Sequence, residues 1–198
     1  MKTPRYGELK EALRRKGYAF FGPRAYDLNV IGIRNPSQRP GKFDDTFCVA
    51  YIDINGYERV FTCPFTADPA LHYLQNPINS AGCAILKPGQ YRGAYQIGLH
   101  RGYTALRQIK PVTVNRDKNK DSNLDWNNVP TQTGLFAVNI HRTLEDGIAA
   151  TVQKFSAGCQ VIQSSDDFAY LLALVRRQKK MVGSDIVTYT LIMEGDLG

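Results

Sequence analysis

Asn55-Gly56 is the feature that most limits what this chain can fold into. The pair tolerates the positive φ angles that a tight type I′ turn requires. β-rich runs flank it, residues 47–54 before and 57–63 after. The chain therefore holds an antiparallel hairpin and is organised on sheet. Further strands are expected at residues 26–33, 84–86, 94–99, 110–115, 134–140 and 186–193. The segments at 84–86 and 94–99 read as a pair joined through Pro88-Gly89, and the last alternates around Val187, Tyr189, Leu191 and Met193.

Two helices frame these strands. Residues 4–16 place Tyr6, Leu9 and Leu13 on one face, with Thr3 as cap, Pro4 in the first turn and Gly17 as stop. Ser164 with Asp167 resembles a capping box and opens a second helix, whose stripe is Phe168, Leu171, Leu172 and Val175. Pro36, Pro40 and Gly41 mark a loop over 35–42. The expected fold class is mainly β (α+β), a β-sandwich or barrel with an N-terminal helix and one later helix. The 198 residues, 43 % hydrophobic, suffice for one core. Residues 1–198 then form a single domain, with 1–17 as a helical appendage.

The net charge of +7 suits an anionic partner such as nucleic acid or a phosphate-rich bacterial wall. Its two densest clusters, Arg14-Arg15-Lys16 and Arg176-Arg177 with Lys179-Lys180, sit at helix C-termini, where cations offset the helix dipole. Recognition-helix, RNP and finger patterns are lacking, so no nucleic-acid partner is expected. No apolar run is long enough to span a bilayer, so no membrane partner is expected either. Cys48, Cys63, Cys83 and Cys159 form no C-x-x-C pair, which argues against zinc. Cys48 and Cys63 read as core residues, and a bridge between them stays open. Asp117-x-Asn119-x-Asp121 resembles the start of a calcium loop, yet Ser122 and Asn128 stand where glycine and glutamate are needed. No metal and no cofactor are expected.

The chemistry-bearing stretch runs from Asn139 to Ile162. His141 ends one apolar segment, and Cys159 precedes another, eighteen residues later. An imidazole beside a thiol can take its proton and hold the thiolate. Gly158 leaves room for an acyl carbonyl to approach the backbone, where N–H groups would meet the developing oxyanion. The plain alternative is a small core cysteine and a satisfied histidine. Ser80-Ala81-Gly82-Cys83 and His100-Arg101 repeat the same tetrapeptide and the same His-Arg pair, and composition does not choose between the two sets. His100, if it faces a groove, would help bind a carboxylate or an amide. Asn139, two residues before His141, shares its side of the strand and is a candidate to orient it.

The stretch resembles the signature of YkuD-type L,D-transpeptidases, a strand-borne histidine, a loop, then Ser-His-Gly-Cys and a polar residue. His141 matches the family base, and Ser156, Gly158 and Cys159 match the serine, the glycine and the nucleophile. Ala157 replaces the family's second histidine, Gln160 stands for the arginine or asparagine after the cysteine, and Arg142 follows His141. The resemblance covers about the last third of the chain. Its wording is also similar to a divergent branch met in bacteriophage and prophage proteins. It implies a YkuD-like fold and a catalytic set of Cys159, His141, Gly158 and Ser156, with Arg142, Gln160 and His100 on the substrate side. The implied reaction is acyl transfer or hydrolysis on peptidoglycan stem peptides. Peptidoglycan is then the partner, with virion proteins as a further class. The first residues lack the apolar core of a secretory signal, so synthesis in the bacterial cytoplasm and later delivery to the wall or virion are expected. The alternative is a non-catalytic wall-binding or virion structural protein on the same fold.

Overall fold

The computed structural model describes residues 3–37 and 39–198; Met1, Lys2 and Gln38, which belong to the N-terminal and loop readings above, lie outside it. The chain runs α1 (Tyr6–Arg15), β1 (Asn29–Arg34), β2 (Asp45–Ile52), β3 (Glu58–Thr66), α2 (Leu71–Gln75), β4 (Cys83–Leu86) and β5 (Gly89–His100). It continues β6 (Tyr103–Gln108), β7 (Val112–Asp117), β8 (Thr131–Gly134), β9 (Ile140–Arg142), β10 (Gln160–Ile162), α3 (Ser165–Val182) and β11 (Ile186–Met193), ending in a 3-10 turn at Glu194–Leu197. Eight strands close a barrel in the order β1-β11-β5-β6-β9-β10-β3-β2, while β4, β7 and β8 form a separate small sheet. The mainly β expectation holds, and closure decides for a barrel, which removes exposed edges.

The hairpin of β2 and β3 forms around Asn55-Gly56, with Ile52 opposite Glu58, but not as the tight type I′ pair: Asp53 N–H donates to Tyr57 O at 2.9 Å across a longer loop, and Gly56 takes the positive φ, 84°, without Asn55. Strand β1 is buried along its whole length because it has two cores to face. Val30 points into the barrel with Phe47, Val49, Phe65, Tyr189 and Leu191. Ile31 and Ile33 point out and meet Leu9, Ala12 and Leu13 of α1. Helix α1 begins later than the sequence suggests. Arg5 is its cap, because the Glu8 carboxylate takes the Arg5 N–H at 2.7 Å. Helix α3 is capped by the Ser164 hydroxyl, stops at Gly183 with φ 88°, and lays Phe168, Leu171 and Val175 on the barrel core beside β9 and β10.

Two expectations fail. Strands β4 and β5 do not pair; β4 pairs with β7, and β5 pairs with β6 and β11. Only Lys87 and Pro88 lie between them, and proline, with φ held near about −65°, denies the positive-φ pair that a two-residue hairpin turn needs, so the chain changes sheets there. Residues 134–140 do not form one strand. Ala137 takes φ 56°, and the Gln108 side chain supplies the bonds a partner strand would give. Its Oε1 accepts from Phe136 and Val138 N–H at 3.1 and 3.0 Å, and its Nε2 donates to Gly134 O at 2.8 Å.

The Asp117–Asp125 loop is held largely by its own side chains, with Asp117 Oδ1 buried and left without a partner. Asp117 Oδ2 accepts from Asp125 N–H at 3.0 Å, and Asn119 Nδ2 donates to Asp121 and Asp125 at 3.0 and 2.7 Å. Among the described residues no three His, Cys, Asp or Glu converge as a metal site requires. All four cysteines are free, so Cys48 and Cys63 are not bridged. No described helix is long and apolar enough to cross a membrane.

Candidate active site

The parallel pairing of β9 with β10 sets Ile140 opposite Gln160 and His141 opposite Val161. Gln160 N–H donates to Asn139 O at 2.9 Å, which carries the ladder back to Cys159. Ile140 and Ile162 belong to the barrel core. Alternation along a strand therefore turns Asn139, His141 and Cys159 outward together.

A second element meets them. Strands β5 and β6 are joined by Arg101-Gly102 at φ 48° and 88°, so His100 and Tyr103 stand opposite one another. The His100 ring stacks on His141 with centroids 4.6 Å apart and planes at 22°. The Tyr103 hydroxyl lies 3.2 Å from His141 Nδ1. Burial raises the Tyr103 phenol, offset in part by Arg142; Cys159 lines the same cleft as His100 and Asn139.

Neighbours fix the tautomer of each ring. His141 Nδ1 sits 2.7 Å from the Arg142 carbonyl, which can only accept, so Nδ1 carries the hydrogen and Nε2 keeps its lone pair. Asn139 Oδ1 accepts from Gln108 N–H at 2.9 Å, which directs the Asn139 amide NH2 at His100 Nδ1, 3.1 Å away. His100 Nδ1 therefore accepts, and its Nε2 carries the hydrogen. One ring offers a base, the other a donor. Asn139 thus serves His100, and the Arg142 carbonyl takes the orienting role at His141.

Burial, aided by the nearby His100 and by Arg101 and Arg142, lowers His141 to about 4 against one opposing hydrogen bond to Arg142. Burial raises the Cys159 thiol, opposed by the Asn139 backbone N–H and Arg101. Both groups are neutral at pH 7. The resting thiolate expected from the sequence is disfavoured, because a thiolate–imidazolium pair would place two charges in a poorly solvated site. The thiol donates instead to Ala137 O at 3.4 Å.

Ser156 and Gly158 shape the turn before Cys159. Ser156 Oγ donates to Cys159 O at 2.9 Å and accepts from Gly158 N–H at 3.2 Å, so its hydroxyl is a brace rather than a reactant. Gly158 has φ 119°, and a Cβ there would lie 2.3 Å from Ala84 O. The space beside Gly158 is filled by strand β4, not left for substrate, and its N–H is held by Ser156. Of the backbone N–H groups expected to meet an oxyanion around Gly158 and Cys159, that of Gly158 is already engaged by Ser156.

The substrate-side residues separate. His100 lies on the wall of a cleft of about 790 Å³, together with Cys159, Asn139 and Gly158. Gln160 is fully enclosed, its Oε1 accepting from Tyr189 at 2.8 Å and its Nε2 donating to Ala67 O at 3.2 Å. It braces the barrel core and cannot touch substrate. Arg142 lies over the Tyr103 ring at 4.5 Å and donates to Leu144 O, off the cleft wall.

Sequence reasoning missed Tyr103, Gln108 and Arg116. Tyr103 had a signal: Arg101-Gly102 between two β-rich runs reads as a two-residue turn. Gln108 and Arg116 had none, because their partners lie far along the chain.

Comparison with protein-family models, curated proteins and solved structures gave no match.

Proposed function

We propose that the chain is a cysteine acyl-transfer enzyme. The observation that carries this is Cys159 on the wall of an open cleft with His100, on which His141, in the opposite tautomer and behind the cleft wall, is stacked. Cys159 Sγ attacks an amide carbonyl as its proton passes to His141 Nε2. The C–N bond breaks, His141 returns the proton to the leaving amine, and a thioester remains. A second amine or water then attacks the thioester, gives its proton to His141, and restores the thiol. The Nε2–H of His100 is a donor for the developing oxyanion, the place vacated by the family's second histidine at Ala157.

Within that class we propose an L,D-transpeptidase-like or L,D-peptidase-like enzyme of peptidoglycan stem peptides. Support comes from the match of His141, Ser156, Gly158 and Cys159 to the YkuD signature, from the mainly β barrel that carries them, and from the basic cleft. A phage-encoded wall enzyme, with virion proteins as partners and action at the wall after synthesis in the cytoplasm, fits the same reading.

Intact-mass spectrometry after mixing with a synthetic stem tetrapeptide tests it. A thioester adduct on the wild type, lost in Cys159→Ala and slowed in His141→Ala, is the expected result. No adduct and no product, with retention on purified wall sacculi, would instead establish the non-catalytic wall-binding module.

A further inference from the structure

Among the described residues two arginines are buried, and they are treated differently. Arg34, fully enclosed, has the Asp68 carboxylate 3.0 Å from its Nε and donates to the carbonyls of Leu86 and Ala67 at 2.9 and 3.1 Å. Arg116 is only 4 % exposed. Its Nε donates to Gln132 Oε1 at 2.9 Å and its Nη1 to Gly82 O at 3.2 Å, and its guanidinium lies 4.7 Å from the centre of the Phe136 ring. Among the described residues no carboxylate pairs with it, and Nη2 has no protein acceptor. A guanidinium taken out of water without a counter-ion is costly. Its partly satisfied fork opens on the cleft that holds Cys159.

The rest of the cleft points the same way. Arg101 and Arg107 stand at its rim, His100 is on its wall, and no Asp or Glu is among its described lining residues. Leu135, Phe136 and Val138 supply an apolar side. The volume, about 790 Å³, is that of a site for a ligand the size of a short peptide. Phosphate-rich polymers would match the charge but would leave the apolar wall unused. A short peptide with small apolar side chains and free carboxylates uses both.

We propose that Arg116 is the carboxylate anchor of this cleft, binding an acidic peptide so that its scissile carbonyl is presented to Cys159. The inference rests on the acyl-transfer reading for the direction of presentation, but the anchor itself is a binding site that needs no turnover. Arginine suits it because a planar fork with one edge already held can offer the remaining N–H groups to a carboxylate with little loss of freedom.

The test is equilibrium binding to Cys159→Ala protein, which leaves the ligand intact. Two probes are compared by calorimetry, a stem tetrapeptide with free carboxylates and the same peptide with every carboxylate amidated. The free acid is expected to bind at least about tenfold more tightly. Arg116→Gln should abolish that preference, and Arg116→Lys should keep part of it. Because Arg116→Gln also removes the bond to Gly82, its thermal midpoint is measured in parallel. If that variant does not fold, the comparison of the two probes on the unchanged arginine decides. Equal binding of the two probes, no binding of either, or a preference that survives Arg116→Gln overturns the proposal. A carboxylate preference in a protein that forms no thioester would sink the acyl-transfer reading and leave the anchor standing.

Discussion

Ser80-Ala81-Gly82-Cys83 and Ser156-Ala157-Gly158-Cys159 are the same four residues, and both reach the same cleft. Both glycines are left-handed, φ 108° and 119°, and both lie so close to a carbonyl, Asp117 O and Ala84 O, that a Cβ would come within 2.3 Å of it. Each turn feeds its cysteine to a strand. There the likeness ends. Cys83 is the first residue of β4, buried, with its thiol pushed up to about 12 by burial and then by Asp117. Cys159 stops one residue short of β10, half-exposed, on the wall of the cleft it shares with His100 and Asn139. Ser156 is enclosed and braces its turn, whereas Ser80 is exposed. The two glycines share a left-handed backbone and a close carbonyl, and the neighbours decide whether a thiol is a filler or a nucleophile.

The sharpest way to break this comparison is to exchange the cysteines one at a time. Cys159→Ala should reduce turnover of a stem peptide by at least about a thousandfold, while Cys83→Ala should leave it within about threefold. Equal losses, read by liquid chromatography of the products, would erase the distinction. His141→Ala should come next, with a loss of roughly a hundredfold to ten-thousandfold as general base catalysis disappears.

Labelling with iodoacetamide gives a second view. Cys159 should be modified first in the native protein, and Cys83, Cys48 and Cys63 only on unfolding, because burial raises all three thiols. The rate at Cys159 should climb through the alkaline range rather than hold flat to acid pH, since its thiol is raised. A flat profile would mean a resting thiolate.

Stability should depend on acid through His141. Its ring is lowered in the fold from an ordinary value of 6.5 to about 4. Between those limits the unfolded chain binds the proton more readily, so stability is complete above about pH 6.5 and falls as pH drops toward 4. The difference of about 2.5 units corresponds to about 3 kcal/mol. Asp45 and Asp68, raised by burial, act in the opposite sense, so wild type is compared with His141→Asn in urea at pH 7 and pH 4.5. Equal pH slopes would remove the assigned burial of His141.

The smallest effect separates the two serines. Ser156→Ala breaks two hydrogen bonds in an enclosed turn and should cost about 1–2 kcal/mol, against less than about 0.5 kcal/mol for Ser80→Ala. Urea denaturation midpoints check this.

Much of the frame was legible from local rules. The Asn55-Gly56 hairpin, the stripe of α3 and the alternation of β11 each depend on residues a few positions apart, and each appears close to its expected place. The errors lie where a distant group overrode a local signal. Gln108 takes the hydrogen bonds of residues 134–138, so a run that reads as strand is not one. Gln160 looked like a residue for substrate, yet the Tyr189 hydroxyl draws it inward. Asn139 was expected to serve His141, and the hairpin at Arg101-Gly102 brought His100 to it instead.

By itself, then, the sequence determined the β2–β3 hairpin, the stripe of α3, the alternation of β11 and the candidate pair of Cys159 and His141, because these follow from backbone preference, periodicity and residue chemistry over short spans. Only the tertiary structure decided which of two identical Ser-Ala-Gly-Cys turns leaves its cysteine half-exposed in the cleft, which tautomer each ring holds, and which arginine is left without a carboxylate. Those outcomes depend on burial and on partners tens of residues away, and no local pattern encodes the distance at which a charge finds, or fails to find, its counter-ion.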